Sequence, residues 1–160
     1  MTQEQLRQKL TDIELPRPGI SKDAPRPAGN YVPVKLHAGM AFISGQMPVM
    51  ADGTLFPQSY QEQYDTSEAL GYQAARLAMA NVFLQLASCS SIQSLENIIR
   101  IDGFFSHVNG KDLPQMLNGA SDLVSEVLGS ENAAHVRTVF GVDVLPYQAT
   151  VELAVVAAAS

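Results

Sequence analysis

The alternation of apolar and polar positions predicts strands in the first half of the chain and near its middle. Residues 31–36 and 40–47 are expected to form an antiparallel pair joined by a turn at His37-Ala38-Gly39. Residues 97–108 are apolar on both faces, which is typical of a strand inside a sheet. The dipeptide Asn109-Gly110 then predicts a turn.

Apolar residues that recur at helical spacing predict two longer helices. The first is expected to run from about 66 to 87, after a capping pattern at Asp65-Thr66-Ser67-Glu68. Its predicted core stripe consists of Ala75, Met79, Val82 and Leu86. The second is expected over 114–128, with proline in the first turn and Gly129 as the residue after its end.

The C-terminal part of the chain predicts two more strands, each with one charged residue near its start. They lie within 133–145 and 150–158, on either side of Pro146, and carry Arg137 and Glu152 respectively. Both faces of these strands are apolar, so we expect helices to cover one face and a second subunit the other. Because charged side chains are rarely buried without a partner, the two charges are expected to line a polar pocket at that junction. A cross-strand salt bridge, worth about 0.2–1 kcal/mol, is the competing interpretation.

The order of these elements predicts the fold class. Hairpin, helix, strand, helix, strand, strand is typical of an α+β domain with a mixed β-sheet and two main helices packed on one face. A chain of 160 residues suits a single domain. Within it we distinguish an N-terminal helix and Pro-rich arm over 1–28 from the α+β domain over 29–160.

The N-terminal arm contains a short helix and two extended segments. Thr2-Gln3-Glu4-Gln5 has the spacing of a capping box, and the helix that follows is expected to bury Leu6 and Leu10. The Pro-rich segments 15–18 and 24–27 favour an extended, polyproline-like backbone. This arm either wraps the domain or a neighbouring subunit, or it is a disordered tail.

Several short motifs occur together in an order that points to a known family. They are Gly29-Asn30-Tyr31, Ile43-Ser44-Gly45-Gln46-Met47-Pro48, the helix around Asn81, Asn118-Gly119-Ala120-Ser121-Asp122-Leu123, His135-Val136-Arg137-Thr138, Leu145-Pro146 and Val151-Glu152-Leu153. Over about residues 29–158 the chain resembles the RidA/YjgF proteins, also known as L-PSP endoribonuclease-like proteins. The N-terminal extension resembles that of a larger subgroup within this family.

The resemblance implies a fold, an assembly and a reaction. The fold is the YjgF-like, chorismate-mutase-like α+β fold, and the assembly is a homotrimer with sites between subunits. In RidA-like enzymes the arginine matching Arg137 holds the carboxylate of a 2-imino acid, and the glutamate matching Glu152 activates the attacking water. Tyr31, Ser44 and Asn118 match further substrate-binding positions. The implied function is hydrolysis of small enamines or imines to 2-keto acids and ammonia, without a cofactor.

Two other functions remain open within the same family. One is a non-catalytic protein that binds small carboxylates or has a regulatory role. The other is an endoribonuclease or translation inhibitor. Nucleic-acid binding is disfavoured by the net charge of −6, because phosphate contacts supply most non-specific affinity for nucleic acids.

The remaining sequence features bear on the cellular location of the protein and on metal binding. The single Cys89 forms no intramolecular disulfide, and neither a signal peptide nor a membrane-spanning stretch is evident, so we expect a cytoplasmic protein. His37, His107 and His135 do not have zinc-site spacing, and no metal site is expected.

Overall fold

A computed structural model describes residues 1–16, 23–58, 66–106 and 112–160 of the chain. Its five strands are β1 (Val34–His37), β2 (Met40–Gln46), β3 (Leu95–Ser106), β4 (Val136–Val142) and β5 (Val151–Ala159). The described residues also form the α-helices α1 (Gln3–Asp12), α2 (Glu68–Ser88) and α3 (Leu113–Leu128). This confirms the predicted α+β class.

The strands form one mixed sheet in the order β1-β2-β5-β3-β4. β3 and β4 run parallel, and the other neighbours are antiparallel. A parallel pair needs a crossover, which α3 supplies between β3 and β4. β5 is therefore central, and β4 is an edge strand although it precedes β5 in the chain.

Two main helices cover one face of the sheet. α2 contacts β2 and β5, and α3 contacts β3 and β4, while the two helices pack against each other. Leu117 of α3 lies so close to Gly103 of β3 that an added Cβ there would come within 2.7 Å of its Cδ1. The core lies between this helical layer and the buried side chains of β3 and β5, which include Ile101, Phe105 and Leu153.

α2 is buried on all sides over most of its length, which the predicted stripe of four residues understates. Every residue from Ala74 to Ala87 is buried. The reason is that α1 and α3 pack against α2 in addition to the sheet, and the Arg7 guanidinium donates to the Ala87 carbonyl at 3.1 Å. A helix with neighbours on several sides needs no wide polar face.

The helix ends follow local sequence signals with one correction. The Thr2 capping box is present, and Gly129, at φ 80°, follows α3 as predicted. The N-cap of α2 is Ser67, whose hydroxyl accepts a bond from the Leu70 N–H, so this helix begins at Glu68. Asp65 lies outside the described residues, and so does the predicted turn at Asn109-Gly110.

The described parts of the N-terminal arm lie on the helical layer of the same chain. Leu6, Leu10 and Leu15 are buried. The Arg76 Nε donates to the Glu14 carbonyl at 3.2 Å, and the Gln85 amide donates to the Pro25 carbonyl at 2.6 Å. Buried side chains of α2 thus bind the backbone of the arm on both sides of residues 17–22, which lie outside the described part of the chain.

None of the described helices has both the length and the apolar character that a membrane crossing requires.

Candidate functional site

Arg137 and Glu152 lie on opposite faces of the sheet, and β3 separates their strands. Arg137 is paired with Ile101, whose side chain is buried beneath the helices, and Glu152 is paired with Phe104. Paired residues of neighbouring strands point to the same face, and alternate residues of one strand point to opposite faces. Because Ile101 and Phe104 are three positions apart on β3, Arg137 and Glu152 point to different faces of the sheet. The two strands are not neighbours, so within one chain the cross-strand salt bridge does not form.

Glu152 lines an open cavity of about 610 Å³ together with two other predicted site residues. Tyr31 enters this cavity from the segment before β1, and Ser44 enters it from β2. Gly45 and Tyr147 also line this cavity, and both are discussed below because they affect the space around Glu152. Three of the five predicted site residues therefore meet in one place, which has the usual size of a small-ligand site.

A β-bulge in β2 makes room for the Glu152 side chain. Ile43 pairs with Val155 and Gln46 pairs with Leu153, so Ser44 and Gly45 together oppose one residue of β5. A Cβ added to Gly45 would overlap the Glu152 Oε1 and lie 2.7 Å from its Cδ. Gly45 is a site residue that the sequence analysis did not identify, although a glycine inside a strand is a signal for such a close approach.

The Glu152 carboxylate is partly removed from water without a compensating cation. Burial raises the pKa of Glu152 above its ordinary value of 4.5. Among the residues that the structure describes, the cavity lining contains no lysine, arginine or histidine. A carboxylate in this setting is a stronger proton acceptor than an exposed one, which suits a general base.

Tyr31 and Ser44 are each held by one backbone group. The Tyr31 hydroxyl accepts a bond from the Ala28 N–H at 3.2 Å, which leaves its own proton available to a ligand. The Ser44 hydroxyl donates to the Val32 carbonyl at 2.9 Å, which leaves its oxygen available as an acceptor. The two hydroxyls thus offer opposite hydrogen-bonding roles beside the Glu152 carboxylate.

Arg137 and Asn118 lie at the other end of the sheet, beside α3. The Arg137 guanidinium donates to the Ser121 hydroxyl at 2.9 Å and reaches the Pro114 carbonyl at 3.4 Å. Asn118 lies four residues after Pro114 and three before Ser121, so all three lie on one face of the helix. Arg137 and Asn118 are both exposed at this edge, away from the Glu152 cavity of the same chain.

A chain of hydrogen bonds orients Arg137. His135 Nδ1 lies 2.7 Å from the Ala133 carbonyl, which can only accept, so this nitrogen carries a proton. His135 Nε2 lies 2.9 Å from the Ser121 hydroxyl, which donates to it in the neutral imidazole and accepts from Arg137. The sequence analysis missed Ser121 and His135 as positioning residues. The available signal was the position of His135 two residues before Arg137, because alternate residues of an extended chain point to the same side.

Tyr147 is a further residue of the Glu152 cavity that the sequence analysis missed. It follows Pro146 in the turn before β5 and has φ 57°, the left-handed region that residues other than glycine seldom adopt. Its side chain is 69% exposed and therefore accessible to a ligand in the cavity. Strained residues of this kind are often found at binding sites.

No metal centre is visible among the described residues, where no group of three or more His, Cys, Asp or Glu side chains is arranged to hold an ion. His107, one of the three histidines considered above, lies outside them.

The fold and these two clusters define a small α+β protein with an open cavity at one side of its sheet and an exposed arginine at the far edge. Residues 11–158 match the family described as "YjgF/chorismate_mutase-like, putative endoribonuclease". The chain belongs to this family, and the resemblance noted in its sequence is confirmed.

Individual relatives agree with this assignment. Protein TCP17 of Trypanosoma cruzi is 30% identical over 132 residues, which are 81% of each sequence. A crystal structure described as a "putative endoribonuclease" of Shewanella oneidensis is 27% identical, with a TM-score of 0.77 and 99% of each chain covered.

Two further solved structures share the fold at lower identity. Atu1372 of Agrobacterium tumefaciens, a protein of unknown function, is 24% identical, with a TM-score of 0.75 over 99% of this chain and 95% of its own. TdcF of E. coli with bound serine is 23% identical, with a TM-score of 0.63 over 86% of this chain and 94% of its own.

Proposed function

We propose that this protein hydrolyses small 2-imino acids to 2-keto acids and ammonia, at sites completed between subunits of a homotrimer. The strongest support comes from Glu152, whose partly desolvated carboxylate faces an open cavity beside the Tyr31 and Ser44 hydroxyls. A base, a hydrogen-bond donor and an acceptor around one space are what the addition of water to a polar double bond requires.

The reaction follows from these groups. The Glu152 carboxylate takes a proton from a water molecule while the water oxygen bonds to the imine carbon and the imine nitrogen gains a proton from solvent. The resulting intermediate carries a hydroxyl and an amino group on one carbon. The carbon–nitrogen bond then breaks, the nitrogen leaves as ammonia with the proton returned by Glu152, and the hydroxyl loses its proton to become the keto oxygen.

Arg137 is the proposed anchor for the carboxylate of the substrate. A guanidinium matches both oxygens of a carboxylate, and Asn118 on the neighbouring helix can bind the same ligand. Because Arg137 and Glu152 do not meet within one chain, the proposed site combines the Glu152 cavity of one subunit with the Arg137 edge of the next.

Exposed apolar side chains support this assembly. Phe42 of β2 and Phe140 of β4 are 43% and 54% exposed. Phe42 pairs with Val156, which shares the Glu152 face, and Phe140 stacks on Phe104 at a ring-centroid distance of 6.1 Å. An uncovered sheet face of this kind favours a protein partner, and a second copy of the chain is the partner proposed here.

The class of ligand is supported by one structural neighbour. TdcF of E. coli was crystallised with serine, a small molecule that carries a carboxylate and an amino group. A 2-imino acid has the same carboxylate and a nitrogen on the adjacent carbon. The chain's net charge of −6 disfavours RNA as the alternative substrate. We place the reaction in the cytoplasm.

The test is release of ammonia from the 2-imino acids of alanine and 2-aminobutyrate, generated in the assay from the amino acid by an oxidase. The wild-type protein is expected to accelerate release, and Glu152→Gln to lose at least about a hundredfold of this activity, the usual range for a general base. Glu131→Gln, an exposed carboxylate on the turn after α3, is the matched control. Binding of 2-keto acids without any acceleration would identify a non-catalytic binding protein instead.

A further inference from the structure

A second cavity of about 560 Å³ adjoins the Glu152 cavity. Ala28, Met47 and Tyr147 line both spaces, so these three residues form the boundary between them. The Glu152 cavity alone already exceeds what a 2-imino acid with a side chain of one or two carbons fills. The adjoining space, called the annex below, therefore needs an explanation of its own.

The walls of the annex are held by two buried amides of α2. Asn81 is fully buried, and its side-chain NH₂ donates to the Met47 carbonyl at 2.9 Å and to the Val49 carbonyl at 3.0 Å. Gln85, one turn further along, is 4% exposed and donates to the Pro25 carbonyl. One helix thus holds two segments that line the annex, the loop after β2 and the end of the N-terminal arm.

The loop after β2 is itself ordered by backbone bonds. Val49 bridges to Leu55, and the Phe56 N–H donates to the Pro48 carbonyl at 2.9 Å. The Met50 N–H also donates to the Thr54 carbonyl at 2.8 Å. A cavity whose walls are held in this way is formed before any ligand arrives, and preorganisation of this kind favours binding.

The annex is lined mainly by apolar side chains, including Ala24, Val49, Met50 and Leu55. Methionine adapts its shape to different apolar ligands. Asp23 and Arg26 are the charged residues of the lining, and both are exposed. The annex thus offers an apolar surface next to the Glu152 cavity, whose functional groups are the polar side chains of Glu152, Tyr31 and Ser44.

From this arrangement we infer that the annex is a side-chain subsite, and that the preferred substrates are 2-imino acids with a large apolar side chain. This inference rests on the proposed function, since it takes the reacting carbon to lie beside Glu152. The side chain then passes the boundary formed by Met47 and Tyr147 and is buried against Val49 and Leu55.

The experiment compares the leucine-derived with the alanine-derived imino acid, and blocks the annex by Ala51→Trp. Ala51 lines the annex and is exposed, so a larger side chain there fits without disturbing the core. Wild-type kcat/KM is expected to be at least about tenfold higher for the leucine-derived imine, since each added methylene in an apolar pocket changes discrimination by tenfold or more. Ala51→Trp should remove this preference and leave the alanine-derived imine within about twofold.

Two further variants keep the result interpretable. Leu55→Asn places a polar group in the same subsite and should reduce the preference in the same direction. Ala69→Trp, at an exposed position in the first turn of α2, is the control and should change nothing. Equal rates for both imines in the wild type, or a preference that survives Ala51→Trp, would overturn the subsite.

Binding of the corresponding 2-keto acids, measured by calorimetry, separates the two proposals. If no imine is hydrolysed but the leucine-derived keto acid binds at least about tenfold more tightly than pyruvate and Ala51→Trp abolishes the difference, the subsite stands and the deaminase function fails. If imines are hydrolysed without a preference for the larger side chain, the function stands and the subsite is wrong. Absence of both activity and binding overturns both.

Discussion

The Glu152 carboxylate occupies the space in which a side chain on Gly45 would lie. The bulge at Ser44 and Gly45 brings the β2 backbone so close to β5 that a Cβ on Gly45 would lie 2.7 Å from the Glu152 Cδ. The position of the proposed base therefore depends on a residue that has no side chain.

The first prediction follows from this contact. Gly45→Ala should displace the Glu152 side chain and lower kcat at least about tenfold, because small misplacements of a reacting group are costly. Gly141→Ala is the matched control, since a Cβ on that strand glycine would meet the Leu113 Cδ1 at an ordinary 3.7 Å. Steady-state kinetics on both variants is the measurement, and equal activity of the two would contradict the role given to Gly45.

The raised pKa of Glu152 predicts a pH-dependent cost to stability. Desolvation raises the folded-state pKa above the ordinary 4.5, so the folded state holds this proton more tightly than the unfolded chain does. The contribution to stability is most favourable below the ordinary value, and it is lost as the pH rises through the raised pKa. Glu152→Gln should therefore raise the melting temperature at neutral pH, and the gain should vanish below about pH 4.

Thermal unfolding of wild type and Glu152→Gln across this pH range is the measurement. Glu131→Gln, the exposed control, should not change the melting temperature in a pH-dependent way. A Glu152→Gln variant that is less stable than the wild type at neutral pH would show that the carboxylate has a stabilising cationic partner in the assembled protein.

Arg137 provides a test of carboxylate recognition. Arg137→Lys should weaken binding of small 2-keto acids nearly as much as Arg137→Ala, because an ammonium cannot reproduce a two-pronged contact. Loss of a charge-assisted hydrogen bond corresponds to about tenfold or more in affinity. Folding should survive in both variants, because Arg137 is exposed and its removal leaves no buried charge. Wild-type affinity in Arg137→Ala would assign Arg137 a structural role.

Ser121 is predicted to act through Arg137. Ser121→Ala removes the oxygen that accepts a hydrogen bond from Arg137, so KM should rise severalfold with little change in kcat. Ser121→Thr keeps a hydroxyl and should have a KM close to that of the wild type. Ser125→Ala, one turn further along α3, is the control. A purely structural role would instead lower the melting temperature without this split between KM and kcat.

The proposed assembly predicts three times the mass of one chain by light scattering at micromolar concentration. Phe140→Asp places a charge on the exposed apolar face and should shift the mass towards the monomer, with loss of activity. Ser130→Asp adds the same charge at an exposed position of the turn after α3 and should leave the mass unchanged. A monomeric wild-type protein would remove the basis for a site shared between subunits.

Local sequence patterns determined most of the secondary structure of this protein. The capping box at Thr2, the proline and glycine that bound α3, and the turn at Ala38-Gly39 depend on residues within a few positions of each other. Such signals are set by backbone geometry and near-neighbour hydrogen bonds, so they are visible without the fold. The family motifs likewise identified Tyr31, Ser44 and Glu152, which the structure brings to one cavity.

Only the tertiary structure decided which of the predicted residues meet. β3 lies between β4 and β5 and separates Arg137 from Glu152, and the register of both pairings places the two residues on opposite faces. No local signal determines this strand order or register. The same holds for the contact between Gly45 and Glu152, for the hydrogen bond that Arg137 donates to Ser121, and for the amides of Asn81 and Gln85 that bind the walls of the annex. Strand order and side-chain contacts of this kind join residues distant in the chain, and they are selected by how the whole sheet buries its apolar faces against the helices.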